Sequence, residues 1–175
     1  MAQDELLDLV NENDEVIGTI LRSEANSNPK VYHREIGILI ADSQDRVLMQ
    51  QRSKNKKVYP LYWIVSCAGH VSAGMTPEEV AHKELQEELG FDTDLVFLEK
   101  YLFQIETESI FAYMYFGRYD GQKIVVDPEE TEQYKFFSKT EWTALIESGE
   151  LFDEDSSRIA YDFWDGKYSV AISKL

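Results

Sequence analysis

The stretch Gly69–Phe91, GHVSAGMTPEEVAHKELQEELGF, carries the strongest structural signal in the chain. Within it, Thr76-Pro77-Glu78-Glu79 has the form of a capping box with proline at the first helical position, and Gly90 is a typical helix stop. These signals predict a helix from about Pro77 to Leu89. The apolar side that would anchor this helix is formed by Val80, Ala81, Leu85 and Leu89.

Three glutamates share another face of this predicted helix. Glu84, Glu87 and Glu88 are spaced i, i+3 and i+4, which places them within an arc of roughly 100°. Like charges at this spacing destabilise a helix, and a divalent cation would offset their repulsion. Carboxylate oxygens suit Mg²⁺, with Mn²⁺ also possible. The pattern therefore predicts a metal site, although a solvent-exposed acidic face has the same spacing.

The same stretch resembles the Nudix box, G-x5-E-x7-R-E-U-x-E-E-x-G-U, in which U is a bulky apolar residue. The matching positions, without gaps, are Gly69, Glu84-Leu85, Glu87-Glu88 and Gly90-Phe91. The resemblance extends over roughly residues 10–164. It implies a single Nudix-like domain over residues 1–175, with the α/β fold of an α/β/α sandwich around a mixed central sheet. It also implies that Glu84, Glu87 and Glu88 are metal ligands and catalytic residues.

Two positions depart from the Nudix pattern. Met75 stands where the family has glutamate, and Lys83 stands where it has arginine. In the family these two residues form an ion pair that braces the loop against the helix, so the departures indicate one altered brace. Lys83 is spaced to pair with Glu79 or Glu87 instead. Rebuilding the family pair is expected to be neutral or slightly stabilising, by less than about 1 kcal/mol.

Apolar periodicity predicts the remaining elements. Strands are predicted over residues 15–21, 35–41, 46–52, 95–105, 110–119 and 134–137, with a loop over 23–30 and a short turn or helix over 4–10. The strand over 110–119 has two apolar faces and should be covered on both sides. Two further helices are predicted, one from Ser138 to near Gly149 and one from about Asp155.

The implied reaction is Mg²⁺-dependent hydrolysis of a nucleoside diphosphate linked to another moiety, or of a related organic diphosphate. Arg52, Lys54, Lys56 and Lys57 form a basic patch within six positions. Of these, Arg52 and Lys57 are the candidate phosphate contacts, because arginine can bind phosphate in a bidentate manner and lysine provides a point charge. A further catalytic carboxylate often comes from a late loop in the family, and Glu130 in the segment 127–132 is the candidate.

An alternative function follows from the segment before the box, which resembles the branch of the family that includes isopentenyl diphosphate isomerase. Those isomerases carry S-x-C-G-H, whereas this chain has Ser66-Cys67-Ala68-Gly69-His70. A one-residue shift in an extended strand points the thiol to the opposite face. Glu106 and Glu108 have the E-x-E spacing of the isomerases, but alignment on Arg118 places Ile110 at the catalytic glutamate. His33 and His70 are then expected to be hydrogen-bonded structural residues.

A third alternative is a Nudix-fold ligand-binding protein with little turnover, which Met75 favours and the intact set of carboxylates disfavours. The choice of substrate is left open by the sequence.

Composition narrows the class of partner. Among 175 residues, 33 acidic and 17 basic side chains give a net charge of −16, which repels nucleic acid and anionic lipid. We expect a small-molecule diphosphate as substrate, with no nucleic acid duplex and no membrane as partner. Cys67 is the single cysteine, and no secretory signal pattern precedes it, so a reducing cytoplasm is the expected location. The aromatic C-terminal helix could support a homodimer.

Overall fold

The computed structural model describes residues 4–175. They fold into a mixed sheet with helices on both faces. The strands are β1 Leu6–Val10, β2 Val16–Leu21, β3 Tyr32–Ala41, β4 Val47–Arg52, β5 Trp63–Ile64, β6 Cys67–His70, β7 Leu95–Gln104, β8 Ser109–Arg118 and β9 Thr131–Phe137. The helices are α1 Arg22–Ala25, α2 Pro77–Leu89, α3 Lys139–Glu147, α4 Glu154–Trp164 and α5 Ser169–Ile172. No helix within this described range is long and apolar enough to span a membrane.

Strand β3 organises the sheet. It pairs in parallel with β8 from Tyr32↔Ser109 to Ala41↔Arg118, and antiparallel with β1, β4 and β6. β7 extends the sheet beyond β8, and β9 pairs with β4. Helix layers cover β3 on both faces, which is why residues 36–41 are almost all apolar.

Two apolar clusters separate the sheet from the helices. The α2-side cluster joins Ile36, Ile38 and Ile40 of β3 to the apolar face of α2. The α4-side cluster joins Leu39 and Ala41 of the same strand to α3 and α4, through Trp142, Ile159 and Phe163 among others. Alternate residues of β3 therefore point into different layers. The predicted α/β/α sandwich with a mixed sheet is confirmed, as is the covering of β8 on both faces.

Helix α2 has the predicted bounds. The Thr76 side chain accepts a hydrogen bond from the backbone of Glu79, and the Glu79 side chain accepts one from the backbone of Thr76. Gly90 ends the helix with φ of 76°, a conformation that favours glycine. A second capping box, between Ser138 and Glu141, opens α3. Helix α4 begins one residue earlier than predicted, because Asp153 accepts a hydrogen bond from Ser156 N and acts as its cap.

Two predictions near the N-terminus are wrong. Residues 6–10 form strand β1 rather than a turn or helix, since they pair antiparallel with β2 and bury Leu7 and Val10. The segment 23–30 is not wholly a loop, because its first residues lie in the short helix α1. Strand β1 depends on pairing with β2 rather than on a signal of its own, and α1 is a single turn of four residues.

Lys83 and Met75, the residues at the two altered positions, make separate contacts in place of the family ion pair. Lys83 Nζ lies 3.2 Å from a Glu87 carboxylate oxygen, so the predicted helical pair with Glu87 is confirmed. Met75 is half-buried and packs against the α2-side cluster. The predicted small effect of rebuilding the family pair applies to an exposed ion pair. Because the Met75 side chain is packed, that prediction does not hold for a glutamate at position 75.

Met75→Glu is therefore expected to lower the free energy of unfolding by about 1–2 kcal/mol, because it moves a charged group onto an apolar surface. Met75→Leu conserves volume and polarity and should cost less. Urea unfolding of the two variants measures the difference. Equal midpoints for both would show that Met75 makes no significant packing contribution.

Candidate active site

One cavity of about 830 Å³ brings the predicted site residues together. Helix α2 contributes Glu84, Glu87 and Glu88 to its lining, and the segment 52–59 contributes basic side chains on another side. An apolar part of the lining comes from β8 and α4, through Ile110, Ala112, Met114 and Ile159. The cavity lining thus combines strongly charged and apolar parts.

The three α2 carboxylates differ in burial. The Glu87 side chain is 58% exposed and the Glu84 side chain 18% exposed. Burial raises the pKa of Glu84, and the neighbouring Glu88 charge raises it further. Burial also raises the pKa of Glu88, against the effect of a hydrogen bond from Gln50. Partly desolvated carboxylates that repel each other favour a cation between them.

Gly69 makes room for one of these carboxylates. A Cβ added at Gly69 would lie 2.8 Å from Glu84 Cδ and 2.9 Å from its Cγ, closer than side-chain atoms approach. Strand β6 places this glycine beside β3, where it pairs with Ile36. The missing side chain and the three oxygen-donor residues together fit a hard divalent cation such as Mg²⁺.

The predicted phosphate contacts line the same cavity as the α2 glutamates. Arg52 is half-buried, and its Nε donates to the backbone oxygen of Val58 at 3.1 Å, which fixes the guanidinium at the start of the loop. Lys57 is exposed and lines the cavity. Glu130 also lines it and forms an ion pair with Lys56, a residue of the basic patch that the sequence analysis did not select. All six predicted site residues thus border one cavity.

A second group of chemically active side chains adjoins the same cavity, which Glu35, His70 and Glu108 line. His33, Glu35, His70 and Glu108 each place one potential ligand atom within 4.8 Å of the others. His70 Nε2 lies 2.9 Å from Glu35 Oε1, and the two histidine rings stack with centroids 5.3 Å apart. Burial raises the pKa of Glu35, but the charges of His70 and His33 and the hydrogen bond from His70 together outweigh burial and hold the pKa well below its ordinary value.

The expectation that His33 is hydrogen-bonded is wrong. Its side chain is fully buried, and among residues 4–175 neither ring nitrogen has a hydrogen-bond partner. His70 does have one, since its Nε2 lies 3.1 Å from Asn26 Oδ1. Unpaired buried imidazole nitrogens facing carboxylates form a donor set that suits Mn²⁺, Fe²⁺ or Zn²⁺ better than Mg²⁺. The cluster is therefore a candidate metal site that sequence reasoning missed.

Ala68 and Ile110, which the sequence analysis aligned with the isomerase cysteine and glutamate, have side chains that cannot transfer protons. Ala68 and Ile110 line the cavity, whereas Cys67 packs in the α2-side cluster on the opposite face of β6. Burial, followed by the charge of Glu88, raises the pKa of the Cys67 thiol well above its usual value. The predicted displacement of the thiol from the isomerase position is confirmed.

Comparison with known proteins agrees with this geometry. Residues 31–157 match the NUDIX domain family. A Nudix hydrolase of Listeria monocytogenes is 36% identical over 147 residues, which cover 82% of this chain and 86% of that protein. An isopentenyl-diphosphate Delta-isomerase of Photorhabdus laumondii is 30% identical over 148 residues, 82% of each chain.

Among solved structures, DR0079 of Deinococcus radiodurans superposes with a TM-score of 0.76 at 27% identity, covering 90% of this chain and 98% of that one. The family match spans most of the chain and includes both the glutamate helix and the loop before it. The chain therefore belongs to the Nudix hydrolase family.

Proposed function

We propose that the chain is a Mg²⁺-dependent hydrolase that cleaves a diphosphate bond in a nucleoside diphosphate linked to another moiety or in a related organic diphosphate. The observation that carries this proposal is the single cavity with three α2 carboxylates on one side and Arg52 and Lys57 on another. Phosphate oxygens placed between them would meet cationic groups on both sides once a metal is present.

Each side chain has a defined part in this proposal. Glu84, Glu87 and Glu88 would hold the metal, and Mn²⁺ could replace Mg²⁺. When bound, the metal would offset charge on the phosphates and lower the pKa of water at the site. Arg52 and Lys57 would orient the diphosphate, since they provide a planar and a point cation. Glu130, held near the mouth by Lys56, would accept a proton from water.

The candidate site formed by His33, Glu35, His70 and Glu108 would bind a second divalent cation. Its two imidazoles would exclude Mg²⁺ in favour of a softer ion, so the two sites would differ in metal preference. The apolar wall at Ile110 and Met114 would contact the part of the substrate that carries no charge.

The isomerase alternative is opposed by the positions of Ala68 and Ile110. An isomerase of this branch needs a thiol and a carboxylate to move a proton, whereas metal-assisted hydrolysis needs no sulfur. A binding protein without turnover is the remaining alternative. Formation of the two phosphorylated products from a panel of nucleotide sugars, dinucleotides, capped or oxidised nucleotides and isoprenoid diphosphates, with Mg²⁺ present, tests the hydrolase. Allylic isomerisation without hydrolysis would support the isomerase, and ligand binding with neither reaction would support the binding protein.

Cys67→Ala is expected to leave diphosphate hydrolysis within a few fold of the wild type. The thiol is fully buried, so the substitution should cost only a modest amount of packing stability. The measurement follows the hydrolysis products of an accepted diphosphate and the isomerisation of isopentenyl diphosphate by both proteins. Isomerisation by the wild type that disappears in Cys67→Ala would contradict the hydrolase proposal, and ligand binding with neither reaction would support the binding protein.

A further inference from the structure

Gln50 of β4 contacts the buried side of the glutamate cluster. It is only 4% exposed, and its Nε2 donates to Glu88 Oε2 at 3.0 Å. Glu87 differs, because its side chain is largely exposed and pairs with Lys83 on its own helix. The position of the Glu88 carboxylate is therefore fixed from the sheet, by a residue outside the Nudix box.

The orientation of the Gln50 amide is set by a second buried residue. Gln50 Oε1 accepts a hydrogen bond of 2.5 Å from Thr131 Oγ1, and Thr131 is 2% exposed. With Oε1 held by Thr131, the amide nitrogen must face Glu88. The reverse orientation would place two acceptor oxygens, Oε1 of Gln50 and Oε2 of Glu88, against each other. Thr131 is itself held by its backbone N–H, which donates to Asp127 O at 2.8 Å.

The neutral character of Gln50 matters for a metal site. A lysine or arginine at position 50 would neutralise the Glu88 carboxylate and compete with a metal ion for its oxygens. A carboxylate at position 50 would repel the Glu88 carboxylate. An amide N–H restricts the carboxylate to one geometry and leaves its negative charge in place. Hydrogen bonds from behind a ligand are the usual means of orienting it toward a metal.

We propose, on the basis of the hydrolase function above, that Gln50 is a positioning residue for Glu88 and that Thr131 acts through Gln50 by fixing its amide. The chain Thr131–Gln50–Glu88 joins the first residue of β9 to the metal-binding face of α2. It also continues directly from Glu130, so the loop that carries the fourth carboxylate and the ligand Glu88 are held by one hydrogen-bonded unit.

The test compares Gln50→Leu, Thr131→Val and Thr131→Ser with the wild type. Gln50→Leu is expected to lower kcat about 10–100-fold, as for other residues that orient a metal ligand, with KM changed by only a few fold. Thr131→Val keeps the shape but not the hydroxyl, so a smaller loss is expected. Thr131→Ser retains the hydroxyl and should have nearly the wild-type kcat and KM. The double variant Gln50→Leu with Thr131→Val should be no worse than Gln50→Leu alone.

A second experiment measures Mn²⁺ binding to the free protein by electron paramagnetic resonance. The site of interest is the one whose Mn²⁺ affinity is weakened by Glu87→Gln. Gln50→Leu should weaken it by about the same 10–100-fold. Gln51→Leu is the matched control, since Gln51 is also buried on β4 but bonds to Leu61 O and Gln133. It should lower the thermal midpoint as Gln50→Leu does and leave Mn²⁺ affinity unchanged.

Lower thermal midpoints with unchanged kcat and Mn²⁺ affinity would overturn the proposal and assign Gln50 a structural role only. If Gln50→Leu does not fold, the pair Thr131→Val and Thr131→Ser decides, and equal Mn²⁺ affinities in that pair overturn the proposal. Absence of hydrolysis by the wild type would reject the proposed function alone, because the Mn²⁺ measurements need no substrate. Absence of Mn²⁺ binding by the wild type would reject the positioning role.

Discussion

Glu87→Gln is expected to lower Mg²⁺-dependent turnover at least about 100-fold, equivalent to ~2.7 kcal/mol of transition-state stabilisation. The Glu87 carboxylate is the most exposed of the three on α2 and lines the cavity mouth, so it can reach a cation without moving the helix. Glutamine removes its negative charge while keeping the shape. The fold should be retained, because the change also relieves repulsion with Glu84. Steady-state kinetics over a range of Mg²⁺ concentrations, together with circular dichroism, measure both effects.

Glu78→Gln is the control for this prediction. Glu78 is an exposed glutamate in the first turn of the same helix, so its substitution removes one charge from α2 outside the set of three. It should keep kcat within about two-fold, apart from a small loss of stability through the helix dipole. Activity of Glu87→Gln within a few fold of the wild type would remove Glu87 from the site.

Gly69→Ala is expected to cause a comparable loss of activity with little loss of stability. The added methyl group would meet Glu84 Cδ at 2.8 Å, and the flexible carboxylate, rather than backbone, would have to move. Gly69 lies in strand β6 without a positive φ, so alanine fits its backbone conformation. Displacement of one ligand should weaken Mn²⁺ binding and lower kcat by about 10–100-fold.

The control for Gly69→Ala is Gly18→Ala in β2, where the new Cβ would be 4.0 Å from Leu9. Both variants replace a strand glycine, so a general effect of the substitution would appear in both. Loss of activity confined to Gly69→Ala supports the contact with Glu84. Unchanged Mn²⁺ affinity in Gly69→Ala would show that Glu84 binds no metal.

The helix and its carboxylates could be predicted from the sequence because their signals are local. The capping box at Thr76, the stop at Gly90 and the spacing of the glutamates all lie within one continuous segment. The strong apolar run of β3 predicts a central strand for the same reason. What the sequence lacked was information about pairing, and β1 was misassigned because its conformation depends on β2.

The cluster of His33, Glu35, His70 and Glu108 could not be predicted, because the sequence alone does not show which strands pair. Its four residues come from β3, β6 and the β7–β8 connection, and they meet only because β3 pairs with both β6 and β8 in a particular register. The alternation of His33 and Glu35 along one strand was the available signal. Gln50 had a weaker one, since a glutamine on a buried strand indicates only that some hydrogen-bond partner exists.

The parallel pairing of β3 with β8 has a consequence for the order of folding. The pairing closes a loop that contains β4, β5, β6, α2 and β7, and the entropy of closing such a loop must be lost before the contacts form. Helix α2 has local signals at both ends and can form early, whereas Gly69 and Gln50 reach its glutamates only when the sheet is assembled. A cation would therefore bind the nearly complete protein and stabilise it against unfolding, and should change the unfolding rate more than the folding rate.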